Sequence, residues 1–226
     1  MTAMLDFETF TLAAATADLS DEPAAREHAD CVEFRMDLAE APLEALSAYD
    51  GMLPLLVTNR PEWEGGEAAD DGRIAALVEA VAHGSVGAVD VELATLDDGE
   101  ADDLLDAAAE NDVSVVVSTH DFETTPPQAE LEALLARAGE FGDVAKLAVT
   151  ARDLDDTLAL LNATRARVKR GERVATMAMG AAGSHTRAVA PVYGSRIGYA
   201  PVDPTEATAP GQYDLETLRE LTNRLR

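Results

Sequence analysis

Apolar residues along this chain fall into short runs separated by longer stretches with helical periodicity. The runs at 10–19 (FTLAAATADL), 31–38 (CVEFRMDL), 52–60 (MLPLLVTNR), 88–93 (AVDVEL), 114–122 (SVVVSTHDF), 143–151 (DVAKLAVTA), 173–180 (RVATMAMG) and 195–202 (SRIGYAPV) read as eight strands. Between them, stretches such as 21–29, 73–84, 101–111, 129–141 and 153–171 carry apolar residues three and four positions apart, and 212–226 closes the chain as another helix. Pro23, just after Ser20-Asp21-Glu22, and the acidic pair Asp153 and Asp155 are helix-start signals. Eight βα units within 226 residues predict a single-domain (β/α)8 barrel over 1–226, with short loops. An open doubly wound sheet shares the alternation, but no glycine-rich phosphate turn follows the first strand.

Strands of a parallel barrel are covered by helices outside and filled by side chains inside, so both faces should be largely apolar. Several strands depart from that in phase. In 31–38, Cys31, Glu33, Arg35 and Asp37 share one parity, and Val32, Phe34, Met36 and Leu38 share the other. Asp90 and Glu92 alternate with Val89, Val91 and Leu93; Ser118 and His120 oppose Val115 and Val117; Lys146 shares a face with Ala148. Buried charges are expensive unless paired, so their convergence near strand carboxyl ends predicts an active site inside the barrel mouth. Taken singly, a Glu-Arg pair on a strand reads equally as a structural ion pair, and a strand-end lysine as a side chain snorkelling to water. His28, His83 and His185 fall on helices or loops and carry no catalytic expectation.

Charge narrows the partners. With 43 acidic against 17 basic residues, the net charge is −26, and the carboxylates are spread along the whole length. Phosphate neutralisation needs clustered Lys and Arg, so neither nucleic acid nor an anionic membrane is an expected partner. The acidity, with only two lysines against fifteen arginines, resembles proteins of salt-loaded cytoplasms. Cys31 is the one cysteine, which excludes an intramolecular disulfide and a multi-cysteine metal site. The first residues, MTAMLDFETF, lack a basic segment followed by an apolar one, and no stretch reaches membrane-spanning length. A soluble, cytoplasmic protein is expected.

Six motifs then occur in order: EFRMD, TNRPEWEGG, VSTHDF followed by TP, VAKLAV, MGAAGSHTR and APGQ. Together they span nearly the whole chain, which resembles the type I 3-dehydroquinate dehydratases. The resemblance implies a (β/α)8 barrel, commonly dimeric, that converts 3-dehydroquinate to 3-dehydroshikimate and water in the shikimate pathway of aromatic amino acid biosynthesis, through a lysine Schiff base and without cofactor or metal. It implies Lys146 as the Schiff-base lysine, His120 as the general acid/base and Glu64 as the carboxylate that orients the histidine. Glu33, Arg35, Arg60, Arg187, Thr208 and Gln212 fall at substrate-binding positions, with Arg187 the expected partner of the substrate carboxylate. Threonines stand at 186 and 208 where serine is frequent in the family. A further expectation is that 203–212 forms a flap over the barrel mouth. On residue types alone, another Schiff-base lyase or aldolase on the same barrel would use Lys146 equally well, and a catalytically silent barrel acting as a binding protein stands as the third reading.

Overall fold

The structure, a computed structural model, describes residues 5–203, 205 and 211–225. Eight strands, β1 (Thr11–Thr16), β2 (Cys31–Arg35), β3 (Leu55–Thr58), β4 (Val86–Glu92), β5 (Ser114–Asp121), β6 (Val144–Thr150), β7 (Val174–Met179) and β8 (Ile197–Pro201), pair in parallel in the order 7-6-5-4-3-2-1-8. The ring nearly closes through a bridge between Val174 and Ser195, where Arg196 N donates to Val174 O (2.7 Å) and Thr176 N to Ser195 Oγ (2.9 Å). This is a (β/α)8 barrel. Its helices are α1 (Glu22–Ala25), α2 (Pro42–Ser47), α3 (Arg73–Val81), α4 (Leu93–Asp97), α5 (Asp102–Glu110), α6 (Gln128–Ala138), α7 (Leu154–Val168), α8 (Gly180–Gly183), α9 (Thr186–Val189) and α10 (Leu215–Leu225).

Period two sorts each strand between two cores. Outward residues such as Val32, Phe34, Val57, Val89, Val91, Val117 and Leu147 pack with Leu77, Leu104, Leu131, Leu135 and Leu160 of the helices. Inward residues Cys31, Leu56, Ala88, Val116, Val144, Ala175 and Ile197 fill the barrel together with Leu5 and Phe7 of the amino-terminal segment. Above these, the inward positions of β2 to β6 are Glu33, Thr58, Asp90, Ser118 and Lys146, all buried, while β7 and β8 stay apolar there with Met177 and Tyr199, so the polar layer sits towards the carboxyl ends of the strands, the face where barrels of this kind build their sites.

Local signals act largely where the sequence places them. Asp153 caps α7, its carboxylate accepting from Asp156 N (3.1 Å), and Pro23 lies in the first turn of α1. The helix expected over 21–29 is only four residues long. The chain must return to the barrel at Asp30, whose carboxylate accepts from Leu12 N (2.8 Å) and Arg219 Nη2 (2.7 Å). Glu22, at the start of that helix, is buried; it accepts from Arg26 and from the backbone N–H groups of Met52 and Leu53.

Candidate active site

A cavity opens at the carboxyl end of the barrel, lined by Glu33, Arg35, Arg60, Glu64, His120, Lys146, Arg187 and Gln212 among others. Eight of the nine sequence-expected site residues therefore meet in one place. The ninth, Thr208, lies outside the described residues, as does most of the stretch read as a flap.

Lys146 points inward from the middle of β6, 5% exposed. Its Nζ donates to Asp90 Oδ2 (2.8 Å), stands 4.0 Å from Glu33 Oε1, and lies 4.3 Å from the centre of the Tyr199 ring. On the neighbouring strand the register pairs Ser118 with Lys146 and His120 with Ala148, one inward position higher. The small Ala148 leaves room at that level for the imidazole.

Beneath the mouth runs a continuous buried charge network. Arg60 donates to Glu92 Oε1 (2.6 Å), Ser118 Oγ (2.7 Å) and Asp90 Oδ1 (2.7 Å); Glu92 accepts in turn from Arg73 Nη1 (2.7 Å). Every member sits in charge-assisted hydrogen bonds, which is the condition for burying ions without large cost. The cations keep Asp90 ionised, holding its pKa below the usual carboxylate range against the opposing effect of burial. Among these, Asp90, Ser118, Glu92 and Arg73 go beyond the expected site residues. The in-phase polar positions of β4 and β5 are a signal for the first three; Arg73 has none, because it opens an ordinary amphipathic helix.

Glu64 reaches the histidine from a short turn after β3. Its Oε1 lies 2.7 Å from His120 Nδ1, leaving Nε2 as the ring nitrogen available to the cavity. Two glycines make that turn possible. Gly65 adopts φ +79°, in the left-handed region, and a Cβ on Gly66 would sit 2.0 Å from the Arg60 carbonyl oxygen. Phe122 stacks on His120 with ring centres 5.9 Å apart. Burial acts against charge on both partners: it lifts Glu64 to about 8 and pushes His120 well below its usual value, with Arg60 and Lys146 adding to the histidine's shift. The pair resists a second proton and titrates as a unit.

Two arginines face the cavity differently. Arg35 is held bidentately by Asp37 (2.8 and 2.6 Å); Asp37 lies beyond the end of β2, in a turn, and serves the site by fixing that guanidinium. Arg187, on α9, is 5% exposed, and among the described residues nothing accepts from its Nε. Burial lowers its pKa to about 10, still far above neutrality. Thr186 beside it ties α9 to the end of β7, since its hydroxyl donates to Gly183 O (2.7 Å) and accepts from Ala178 N (2.8 Å). A serine hydroxyl would do the same.

An inward lysine with a fixed carboxylate, a histidine-carboxylate dyad and an underused buried guanidinium together suit covalent amine chemistry on an anionic carbonyl compound. No cluster of three or more potential metal ligands occurs among the described residues, and no described helix is long and apolar enough to cross a membrane. Residues 9–226 match the family model of type I 3-dehydroquinase. A 3-dehydroquinate dehydratase of Haloarcula marismortui is 61% identical over 225 residues, covering 98% of each chain. The fold superposes on the crystal structure of 3-dehydroquinate dehydratase from Geobacillus kaustophilus with a TM-score of 0.85 at 29% identity, covering 96% of this chain and 91% of that one. A type I 3-dehydroquinate dehydratase from Clostridium difficile, solved with covalently modified comenic acid, gives 0.83 at 28% identity, covering 96% and 92%.

Proposed function

The chain belongs to the type I 3-dehydroquinase family, and from that premise we propose how its own residues dehydrate 3-dehydroquinate to 3-dehydroshikimate. Lys146 is the amine that condenses with the substrate ketone, His120 with Glu64 moves the protons, and Arg187 binds the carboxylate. The observation that carries this reading is the convergence of Lys146 and the His120–Glu64 dyad on one cavity, with a buried guanidinium facing the same space.

Abstraction of a proton beside a ketone is slow because the resulting carbanion is poorly stabilised; an iminium nitrogen accepts the electron pair instead. Lys146, held at the cavity floor by Asp90, gives up a proton that ends on the substrate's carbonyl oxygen, and attacks C3. The carbinolamine then loses water to form the iminium. His120 Nε2 next takes the proton at C2; the electron pair left behind forms the C2–C3 double bond, and the π pair of the iminium moves onto nitrogen, giving an enamine. Their return expels the C1 hydroxyl, which leaves as water with the proton from His120. Hydrolysis of the product iminium frees Lys146. Glu64 holds Nδ1 and fixes the ring so that one nitrogen serves both transfers.

Arg187 fits the carboxylate because a guanidinium matches it bidentately and this one has hydrogen-bonding capacity left. Arg60 is committed to Asp90, Glu92 and Ser118, so its role is to shape the floor and its field. Glu33, which accepts from Thr58 Oγ1 (3.1 Å), has further lone pairs for a substrate hydroxyl, and Arg35 and Gln212 complete the wall. Thr208 is kept as a substrate contact on the motif alone. The enzyme is read as one catalytic domain, acting in the cytoplasm as a homodimer. Exposed Leu154 and Leu158, one turn apart on α7, and Val192 and Tyr193, in the turn packed beside α7, support a second copy on that side. The test of the activity is incubation with 3-dehydroquinate while following the absorbance of the conjugated enone. Wild type should generate it and Lys146→Ala should not; turnover in the alanine variant would overturn the assignment.

A further inference from the structure

The carboxylate closest to Lys146 takes no part in the proton transfers above. Asp90 is fully buried on β4, and its two oxygens face different partners: Oδ2 accepts from Lys146 Nζ (2.8 Å), while Oδ1 accepts from Arg60 Nη2 (2.7 Å) and Ser118 Oγ (2.6 Å). Arg60 is itself anchored by Glu92. Asp90 is thus clamped from the side away from the lysine and stays where it is when the lysine reacts.

Condensation of an ammonium group with a ketone conserves charge at nitrogen. Two of the three N–H protons leave with the carbonyl oxygen as water, the C–N double bond forms, and one N–H remains on a cationic nitrogen. A carboxylate fixed at hydrogen-bonding distance from the ammonium is therefore placed to receive that last N–H. The proton matters, because a neutral imine is a poor electron sink. We infer that Asp90 is the counter-ion of the covalent intermediate: it pairs with the iminium N–H and keeps the nitrogen protonated while His120 works on the adjacent carbon. The inference rests on Lys146 being the Schiff-base lysine.

The other groups facing Nζ do not fill this role. Glu33 of β2 is 4.0 Å away and already accepts from Thr58. Tyr199 of β8 offers its ring face at 4.3 Å, which favours a cation but accepts no directed hydrogen bond at the nitrogen. Arg60 and His120 bring positive charge or none. Asp90 alone among these presents an ionised oxygen in contact.

The experiment is a pH series of borohydride trapping with 3-dehydroquinate, reading the mass of the peptide that contains Lys146, in wild type and Asp90→Asn. Wild type should give adduct across the series. Asp90→Asn should still give adduct on the acid side, but its alkaline limit should move down by about one to three pH units, the range over which a contacting opposite charge shifts a titration. Its kcat should fall while KM changes little, and Asp90→Glu should recover part of the lost alkaline range. Superimposable profiles for wild type and Asp90→Asn would overturn the counter-ion role and leave Lys146 in place; absence of any adduct in wild type would instead overturn the Schiff-base reading on which it rests. Should Asp90→Asn fail to fold, wild type labelled with 15N at its lysine side chains, of which the chain has two, carries the test. A protonated iminium nitrogen persisting into alkaline solution supports the pairing, and a neutral imine at neutral pH refutes it.

Discussion

Replacing Glu64 by Gln removes a charge while keeping nearly all of the side chain's volume. Glu64 Oε1 stands 2.7 Å from His120 Nδ1, with both side chains about nine-tenths buried. Burial raises Glu64 to about 8 and lowers His120. The dyad acts as a base once it has lost its shared proton, so proton abstraction in wild type should strengthen as pH rises through about 8 and fade below it. Glutamine cannot titrate, so this limb should disappear. A hydrogen bond involving a charged group contributes about 1.5–3 kcal/mol, which, expressed in the transition state, is roughly a 10- to 150-fold loss of kcat. Stability should move the other way. A carboxyl whose folded pKa of about 8 exceeds its ordinary 4.5 adds stability that is fully present below 4.5 and is lost as pH rises through the folded value. Glutamine imitates the protonated carboxyl at every pH, so the variant's advantage in melting temperature should grow across that window and then level off. The assay pairs initial rates of enone formation with calorimetric melting over the same buffers. An unchanged kcat, or a variant that keeps the limb near pH 8, would refute the reasoning.

Arg60→Ala strips three hydrogen bonds from Asp90, Glu92 and Ser118 and leaves two buried carboxylates short of a cation; urea denaturation should register a loss of about 3–5 kcal/mol, and a change within error would mean that water replaces the guanidinium. Arg187→Lys keeps the charge but not the planar fork, so KM should rise about tenfold or more with kcat little affected; an unaltered KM would remove Arg187 from carboxylate binding. With a net charge of −26, the melting temperature should fall as salt is lowered from about 1 M, where the Debye length is about 3 Å, to about 0.1 M, where it is about 10 Å. A melting temperature independent of salt would refute the view that self-repulsion limits this fold.

Much of this fold is legible because parallel strands buried on both faces leave an unambiguous signal. Polar residues in phase on β2, β4, β5 and β6 could only point into the barrel, and the structure puts Glu33, Asp90, Ser118, His120 and Lys146 there. Motif order adds Arg60, Glu64 and Arg187, whose loops and short helices carry no periodicity of their own. Asp37 continues the β2 parity in the sequence, yet the strand ends at Arg35 and a tight turn makes Asp37 the partner of Arg35. Tyr199 reads as one more apolar strand residue; its place against Lys146 depends on β8 and β6 coming to lie on either side of β7 as the barrel closes, a relation that local pattern does not encode. Arg73 and Glu22 are hidden for the opposite reason, since each sits at the start of a helix where an exposed polar residue is ordinary, and only tertiary packing buries them.

The central claim is that Lys146 is the electron sink, and covalent trapping tests it most directly. Borohydride added with 3-dehydroquinate should fix a reduced adduct on the peptide containing Lys146, leave Lys169 unmodified, and abolish activity in proportion to its formation. A stoichiometric adduct on Lys169, or steady turnover through borohydride treatment with no adduct at Lys146, would contradict the account.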